Sequence, residues 1–288
     1  WRGIKNNKIL DWLLLGLFAG FGFLSKYLFV YLGLAIDVLL IYMIYTKRLN
    51  YKCLVSFVPF IIILLPHIIW LTENDYVTIT YGLLRTGSEE ASISNHIKHP
   101  AIFLVKQVGI LLPFLLMIFV LVKKFKINIS LNDEKLLFLV SINLIPILFI
   151  FLTSFTMGVK IRTMWMTPFY ISFGLLFVYF LKTQINLEKM KIFVSIFLIL
   201  FLISPILYSY VSITKTDKRT DFNGKNLAKQ AKVFYETEGM DLGKIEYIKG
   251  NEWIAGNISY HLPERPKWIY NSNQVYLCNK DMKCLKYK

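Results

Sequence analysis

Long apolar runs constrain this chain more than any motif does. Seven stretches stand out: about Leu10–Leu24, Tyr27–Tyr45, Cys53–Leu71, Ala101–Val122, Lys135–Phe155, Trp165–Leu181 and Ile192–Ile213. A helix needs roughly 20 apolar residues to cross a bilayer, where no water can satisfy backbone amides and carbonyls. The first run is short for that length. The chain is 56% hydrophobic, with a mean hydropathy of +0.51. Together these features predict an α-helical polytopic membrane protein with about seven spans, not a soluble domain.

The formal net charge of +15 suggests nucleic acid until its distribution is considered. Lys and Arg cluster between the apolar runs rather than on one soluble face, so no nucleic-acid partner is expected. One alternating set of connections holds thirteen of them, in the segments 2–8, 47–52, 123–135 and 182–191. The other set holds five: Lys26, Arg85, Lys98, Lys160 and Arg162. Because cytoplasmic loops are enriched in Lys and Arg, the first set is expected inside. The second set, and everything after Ile213, is then expected outside the cytoplasm. The Asn-Ile-Ser triplet at Asn128 falls in an inner loop and is not expected to carry sugar.

The stretch Thr153 to Pro168 places Lys160 and Arg162 between two apolar runs with no acid beside them, on the face where cations are scarce. Next to Trp165, they suggest a site for an anionic group at the membrane surface. Lys26 sits in a tight outer turn; it either snorkels to the headgroups or binds phosphate. Arg85 follows an apolar segment, Tyr76 to Leu84, that is suited to lie in the interface, where it can meet a lipid phosphate. Glu89 or Glu90 could hold an acceptor. Gly16, Gly20 and Gly22 allow close helix approach. Asp37 lies near the middle of the second run and needs a partner; Lys106, Gln107 and Asn143 are candidates, and a structural hydrogen bond is preferred to catalysis. His67 reads as a helix-packing histidine.

After Ile213 the composition turns polar. The chain therefore divides into a transmembrane region, 1–213, and a small soluble α/β extracytoplasmic domain, 214–288. Residues 224–238 read as a helix, Lys244–Lys249 as a strand, Glu252–Leu262 as a helix capped by Asn251, and Lys267–Tyr270 and Gln274–Cys278 as short strands. Trp253, Tyr260, Trp268 and Tyr270 are expected in its core rather than as a sugar platform. Cys278 and Cys284 can pair if the domain meets an oxidising compartment, and Cys53 reads as a small apolar residue. No phosphate-binding loop, nucleophile elbow or zinc-ligand motif is present, so no metal and no cofactor are expected.

Four stretches together resemble the lipid-linked-sugar glycosyltransferases of the GT-C fold, which include the protein O-mannosyltransferases and the enzymes that add aminoarabinose to lipid A. They are GLFAGFGFLSKY at Gly16–Tyr27, PHIIWLTEN at Pro66–Asn74, VKIRTMWMTPFYISFGLLF at Val159–Phe177 and WIAGNISYHLPERPK at Trp253–Lys267. The resemblance implies transfer of a sugar from a polyprenyl-phosphate donor to a lipid, glycan or protein acceptor at the outer face of a bacterial inner membrane. It implies that Lys160, Arg162 and Trp165, then Lys26 and Arg85, bind the donor. It also implies that the general base is an Asp in an outer loop upstream of Trp1, so that this chain is a fragment lacking it. A polytopic lipid or polysaccharide transporter or flippase is the alternative, which the α/β tail argues against.

Overall fold

Helices α1 (Arg2–Asn6), α2 (Ile9–Ser25), α3 (Phe29–Tyr45) and α4 (Phe57–Glu73) open the chain, with a 3-10 turn at Tyr51–Ser56 leading into α4. Then come α5 (Val77–Arg85), α6 (Asn95–Leu121), α7 (Glu134–Asn143), α8 (Ile145–Met157), a 3-10 stretch Thr163–Tyr170, α9 (Phe173–Leu181) and α10 (Met190–Thr214). This computed structural model describes residues 1–86, 92–122, 130–215, 221–239, 243–271 and 274–287; the side chains of Leu84 and Arg85 also lie outside the described set. Lys123, Lys124, Lys126, Asn128, Glu89 and Glu90 fall outside the described residues. By contact, the chain divides into two compact units, Trp1–Leu202 and Ile203–Lys288.

Four helical stretches are long and apolar enough to cross a membrane: Tyr51–Glu73, Asn95–Leu121, Glu134–Met157 and Leu187–Thr214. A fifth arises if Thr163–Tyr170 and α9, bent by 54° at their junction, count as one broken span. The expected count of about seven is not reached, because α2 and α3 have 17 residues each. At about 1.5 Å per residue such a helix covers roughly 25 Å, short of a ~30 Å hydrocarbon core. The fourth apolar run also begins earlier than expected. Helix α6 starts at Asn95 and takes in Pro100, which lacks the amide hydrogen that would bond the His96 carbonyl, an interruption that membrane helices tolerate.

Helix α2 packs closely on α4 because of its glycines. A Cβ on Gly16 would lie 1.8 Å from the Ser56 carbonyl oxygen, and one on Gly20 would lie 2.9 Å from Ile63. These two residues sit four apart on one helix face, the spacing that lets membrane helices touch backbone to backbone. Gly22 serves the turn instead, where the Phe29 ring occupies the space of its absent side chain. The tight α2–α3 turn begins at Lys26, whose amide donates to the Gly22 carbonyl at 3.2 Å.

In the second unit, α11 (Gly224–Glu238), β1 (Tyr247–Gly250), α12 (Ile254–His261), β2 (Lys267–Tyr270), β3 (Tyr276–Cys278) and β4 (Cys284–Lys286) form a four-stranded sheet with two helices. The sheet order is β2-β1-β3-β4, with β1 parallel to β2 and the other neighbours antiparallel. The β1–α12–β2 crossover explains the parallel pair, since a short hairpin cannot make one. Asn251 accepts the Ile254 amide at 2.7 Å and so caps α12. Cys278 and Cys284 are cross-strand partners and form a disulfide.

The core of this unit differs from the expectation. Leu227, Ala231, Tyr235, Ile248, Ile258 and Leu277 are buried. Trp268 only packs against that core, while Trp253, Tyr260 and Tyr270 are 39%, 62% and 46% exposed. Tyr235 supplies a large ring to this core, alongside the small side chains of Ala228, Ala231 and Ala255. The Trp268 indole instead spans the layer edge and donates to the Gly250 carbonyl at 3.1 Å.

Candidate functional site

The five cation-side residues singled out from the sequence lie in three segments, and hydrogen bonds join those segments at one end of the helix bundle. Lys26 Nζ lies 3.5 Å from the Trp165 carbonyl oxygen, across 139 residues of chain. The Lys160 amide donates to the Thr86 carbonyl at 3.0 Å, next to Arg85. The Trp165 amide donates to the Arg162 carbonyl at 3.0 Å, closing the 3-10 turn. The side chain of Arg85 lies outside the described residues.

Why the loop after α8 presents its charges follows from its alternation. Gly158 ends α8 in the left-handed region, φ 63°, which a glycine adopts at no steric cost. From there the chain runs without helix or strand to Arg162. Val159 is buried, Lys160 exposed and Ile161 half-buried against the bundle core. An extended chain alternates its side chains, so burying Val159 and Ile161 turns Lys160 outward, with Arg162 on the same side. Two side chains fix the register. His99 Nδ1 lies 2.8 Å from the Gly158 carbonyl oxygen, and the Ser154 hydroxyl donates to the Val159 carbonyl at 2.7 Å.

The next residues are anchored from beneath. Met166 is fully buried and Phe169 is 6% exposed, in a cluster with Phe103 and Ile150. The Tyr170 hydroxyl donates to Gln107 Oε1 at 2.5 Å. Trp165 is half-buried above this layer and Met164 is exposed. The same end of the bundle carries a second polar cluster. The Tyr27 hydroxyl meets His67 Nε2 and Thr78 Oγ1, each at 2.7 Å, and Tyr31 donates to Thr153 Oγ1 at 3.1 Å. His96 Nδ1 lies 2.8 Å from the Phe155 carbonyl oxygen.

Chemically, this end of the bundle gathers cations that form no salt bridge among the described residues. The two salt bridges formed among the described residues are Arg2–Asp11 and Lys232–Glu264, so neither Lys26, Lys160 nor Arg162 is neutralised by an acid there. A mobile ammonium and a planar guanidinium offer donors that suit a phosphate. Among the described residues, no group of three His, Cys, Asp or Glu could hold a metal ion.

Two expectations about single residues change. Gln107 is engaged by Tyr170, and Asn143 donates to the Leu139 carbonyl of its own helix at 2.8 Å. Neither serves Asp37, which instead lines a largely apolar cavity of about 250 Å³ with Gly33, Ser56 and Phe60. His96, His99 and Tyr27, which hold the site's loops, were not singled out from the sequence as site residues. Their partners lie 40 to 59 residues away, and no short-range spacing signals them.

No curated protein and no solved structure matches this chain. Two of the four stretches that carry the GT-C resemblance, Val159–Phe177 and Trp253–Lys267, lie outside the segment 1–70 that a family model matches. That segment holds α1 to most of α4, including Lys26, Tyr27 and His67. Residues 1–70 match the family of dolichyl-phosphate-mannose-protein mannosyltransferases, consistent with a membrane glycosyltransferase of the GT-C type.

Proposed function

We propose that this chain forms the donor-phosphate side of a membrane glycosyltransferase, which moves a sugar from a polyprenyl-phosphate donor to a lipid, glycan or protein acceptor. In this reading residues 1–213 are the membrane region, in a bacterial inner membrane, and 214–288 form an extracytoplasmic domain. One observation carries it: cations from distant parts of the chain, which form no salt bridge among the described residues, are gathered at one end of the bundle, with Lys26 Nζ 3.5 Å from the Trp165 carbonyl oxygen. The donor's phosphate gains negative charge as its bond to the sugar breaks. Lys160, Arg162 and Lys26, with Arg85, are assigned to bind and stabilise that leaving group, and Trp165 to flank it. Preplaced charge of this kind needs no reorganisation during reaction, which makes it a large catalytic contribution. The acceptor's general base is assigned to a carboxylate outside this cluster.

The test is transfer from a polyprenyl-phosphate sugar in membranes, with matched expression. Arg162→Ala and Lys160→Ala should each lower kcat about 10²-fold, the usual effect of deleting one such donor. Arg162→Lys should recover part of the loss, since it keeps the charge but not the fork. Full activity in the double alanine variant would remove the site assignment. Lipid scrambling without any transfer by the unaltered protein would favour the flippase alternative.

A further inference from the structure

We propose that Tyr27, His67 and Thr78 form a positioning latch, which holds α5 against the bundle and thereby sets the place of Lys160. Its consequence for activity rests on the glycosyltransferase reading; its structural part does not.

The need for a latch arises at the reversal between α4 and α5. Asp75 and Tyr76 both have positive φ, 49° and 53°, with no glycine to relieve them. In that region the Cβ of an L residue crowds the following carbonyl oxygen, a cost greater for a bulky tyrosine than for an aspartate. Two such residues in succession persist only where their surroundings over-determine them. Part of the restraint is local: the Tyr76 amide donates to the Leu71 carbonyl at 2.9 Å and the Val77 amide to the Asn74 carbonyl at 3.1 Å. The rest comes from across the bundle. One residue into α5, Thr78 Oγ1 lies 2.7 Å from the Tyr27 hydroxyl, which lies 2.7 Å from His67 Nε2.

The His67 ring is itself held, stacked on Trp70 with centroids 5.8 Å apart and planes within 13°. The hydroxyl can donate to Nε2 and accept from Thr78, or accept from a protonated Nε2 and donate to Thr78. The chain of bonds is complete in either direction. At the far end of α5, the Thr86 carbonyl accepts the Lys160 amide at 3.0 Å. Helix α5 is therefore a strut of nine residues, pinned by Tyr27 at its start and fixing the Lys160 backbone just beyond its end. The side-chain hydrogen bonds that join Tyr27, His67 and Thr78 run to one another and not to a cation; Tyr27 follows Lys26 in the chain, and the latch reaches Lys160 through α5.

The structural arm uses the full chain in membranes with Thr86→Cys and Lys160→Cys paired, and scores disulfide formation under mild oxidant. Adding Tyr27→Phe, or Thr78→Val should that variant fail to fold, should cut the cross-linking yield several-fold. His67→Gln keeps a hydrogen-bonding atom near the position of Nε2 and should preserve it. Equal yields with and without Tyr27→Phe or Thr78→Val would overturn the latch. The kinetic arm uses the native Thr86 and Lys160. Tyr27→Phe should raise KM for a polyprenyl-phosphate sugar about tenfold, the worth of one hydrogen bond, with kcat within about twofold. Rescue in His67→Gln is expected, and an unchanged KM in Tyr27→Phe would overturn the positioning role. If the unaltered protein transfers no sugar, the glycosyltransferase reading fails, and the cross-linking yield still decides the latch.

Discussion

Replacing Gly16 with alanine should separate α2 from α4, and the size of the effect can be worked from the structure. The added methyl would sit 1.8 Å from the Ser56 carbonyl oxygen, 2.7 Å from its carbon and 2.8 Å from Pro59 Cγ, where real Cβ contacts stay beyond 3.0 Å. The obstacle is backbone, which cannot turn aside as a side chain can. Relief requires a shift of roughly 1 Å along the helix pair, and a forced insertion of this kind costs about 1–3 kcal/mol. The upper part of that range is expected, because Gly20 packs on Ile63 one turn further along the same contact. Gly33→Ala is the control. Nothing lies within 4 Å of a Cβ there, and alanine favours the helix by up to about 1 kcal/mol. Cys53 supplies the readout: it is the free cysteine, 1% exposed, while the other two are disulfide-bonded. Thermal labelling of its thiol in detergent should show Gly16→Ala exposed several degrees earlier than the parent, and Gly33→Ala no earlier. Equal midpoints for the two variants would refute the argument that backbone contact at Gly16 holds these helices together.

At the opposite end of the bundle, Asp133 caps α7 through the Lys135 and Leu136 amides, each at 3.1 Å, and accepts from the Tyr179 hydroxyl at 2.8 Å. Burial pushes its carboxyl upward, but the bonds from Tyr179 and the two amides, with the nearby Lys182 charge, outweigh it and hold the group below its ordinary value. A depressed carboxylate contributes fully above its unfolded value and is lost as pH falls through the folded one. Asp133→Ala should therefore cost about 1–2 kcal/mol near neutral pH and progressively less in acid, while Asp133→Asn keeps most of the cap. Unfolding curves across pH check both, and a deficit that does not shrink in acid would count against this account. For orientation, Ser92→Cys should react with an impermeant thiol reagent in intact cells, since Ser92 lies in the connection assigned to the outer face. Labelling only after lysis would reverse the topology.

What could be read along the chain were features written in neighbouring residues. Residues 224–238 were legible as a helix because Leu227, Ala228, Ala231 and Tyr235 repeat at helical spacing, and the observed α11 has those bounds. Strand β2 at Lys267–Tyr270 and the Asn251 cap were legible for the same reason: turn and propensity signals are local. Strand β4 was not. Cys284-Leu285-Lys286 has no alternation of its own and exists because it pairs with β3. The aromatic core failed likewise. Hydrophobicity marks Trp253 and Tyr260 for burial, but which rings go inside is set by how the helices pack on the sheet, which takes in Tyr235 and leaves these two exposed.

The candidate site divides in the same way. Sequence alone determined that Lys160 and Arg162 are cations without acidic neighbours between apolar runs, because charge and hydropathy belong to each residue wherever it goes. It also marked Gly16 and Gly20 as contact points, since a missing side chain is a property of the chain. Only the tertiary structure decided that Lys26 approaches Trp165, that His99 holds the loop before Lys160, and that Tyr27 ties α4 to α5. It also left Asp37 facing a cavity and occupied both Gln107 and Asn143 elsewhere. A hydrogen bond between residues 40 or more apart depends on how whole helices are placed, and that placement is the summed outcome of all their contacts rather than of the two residues that finally meet.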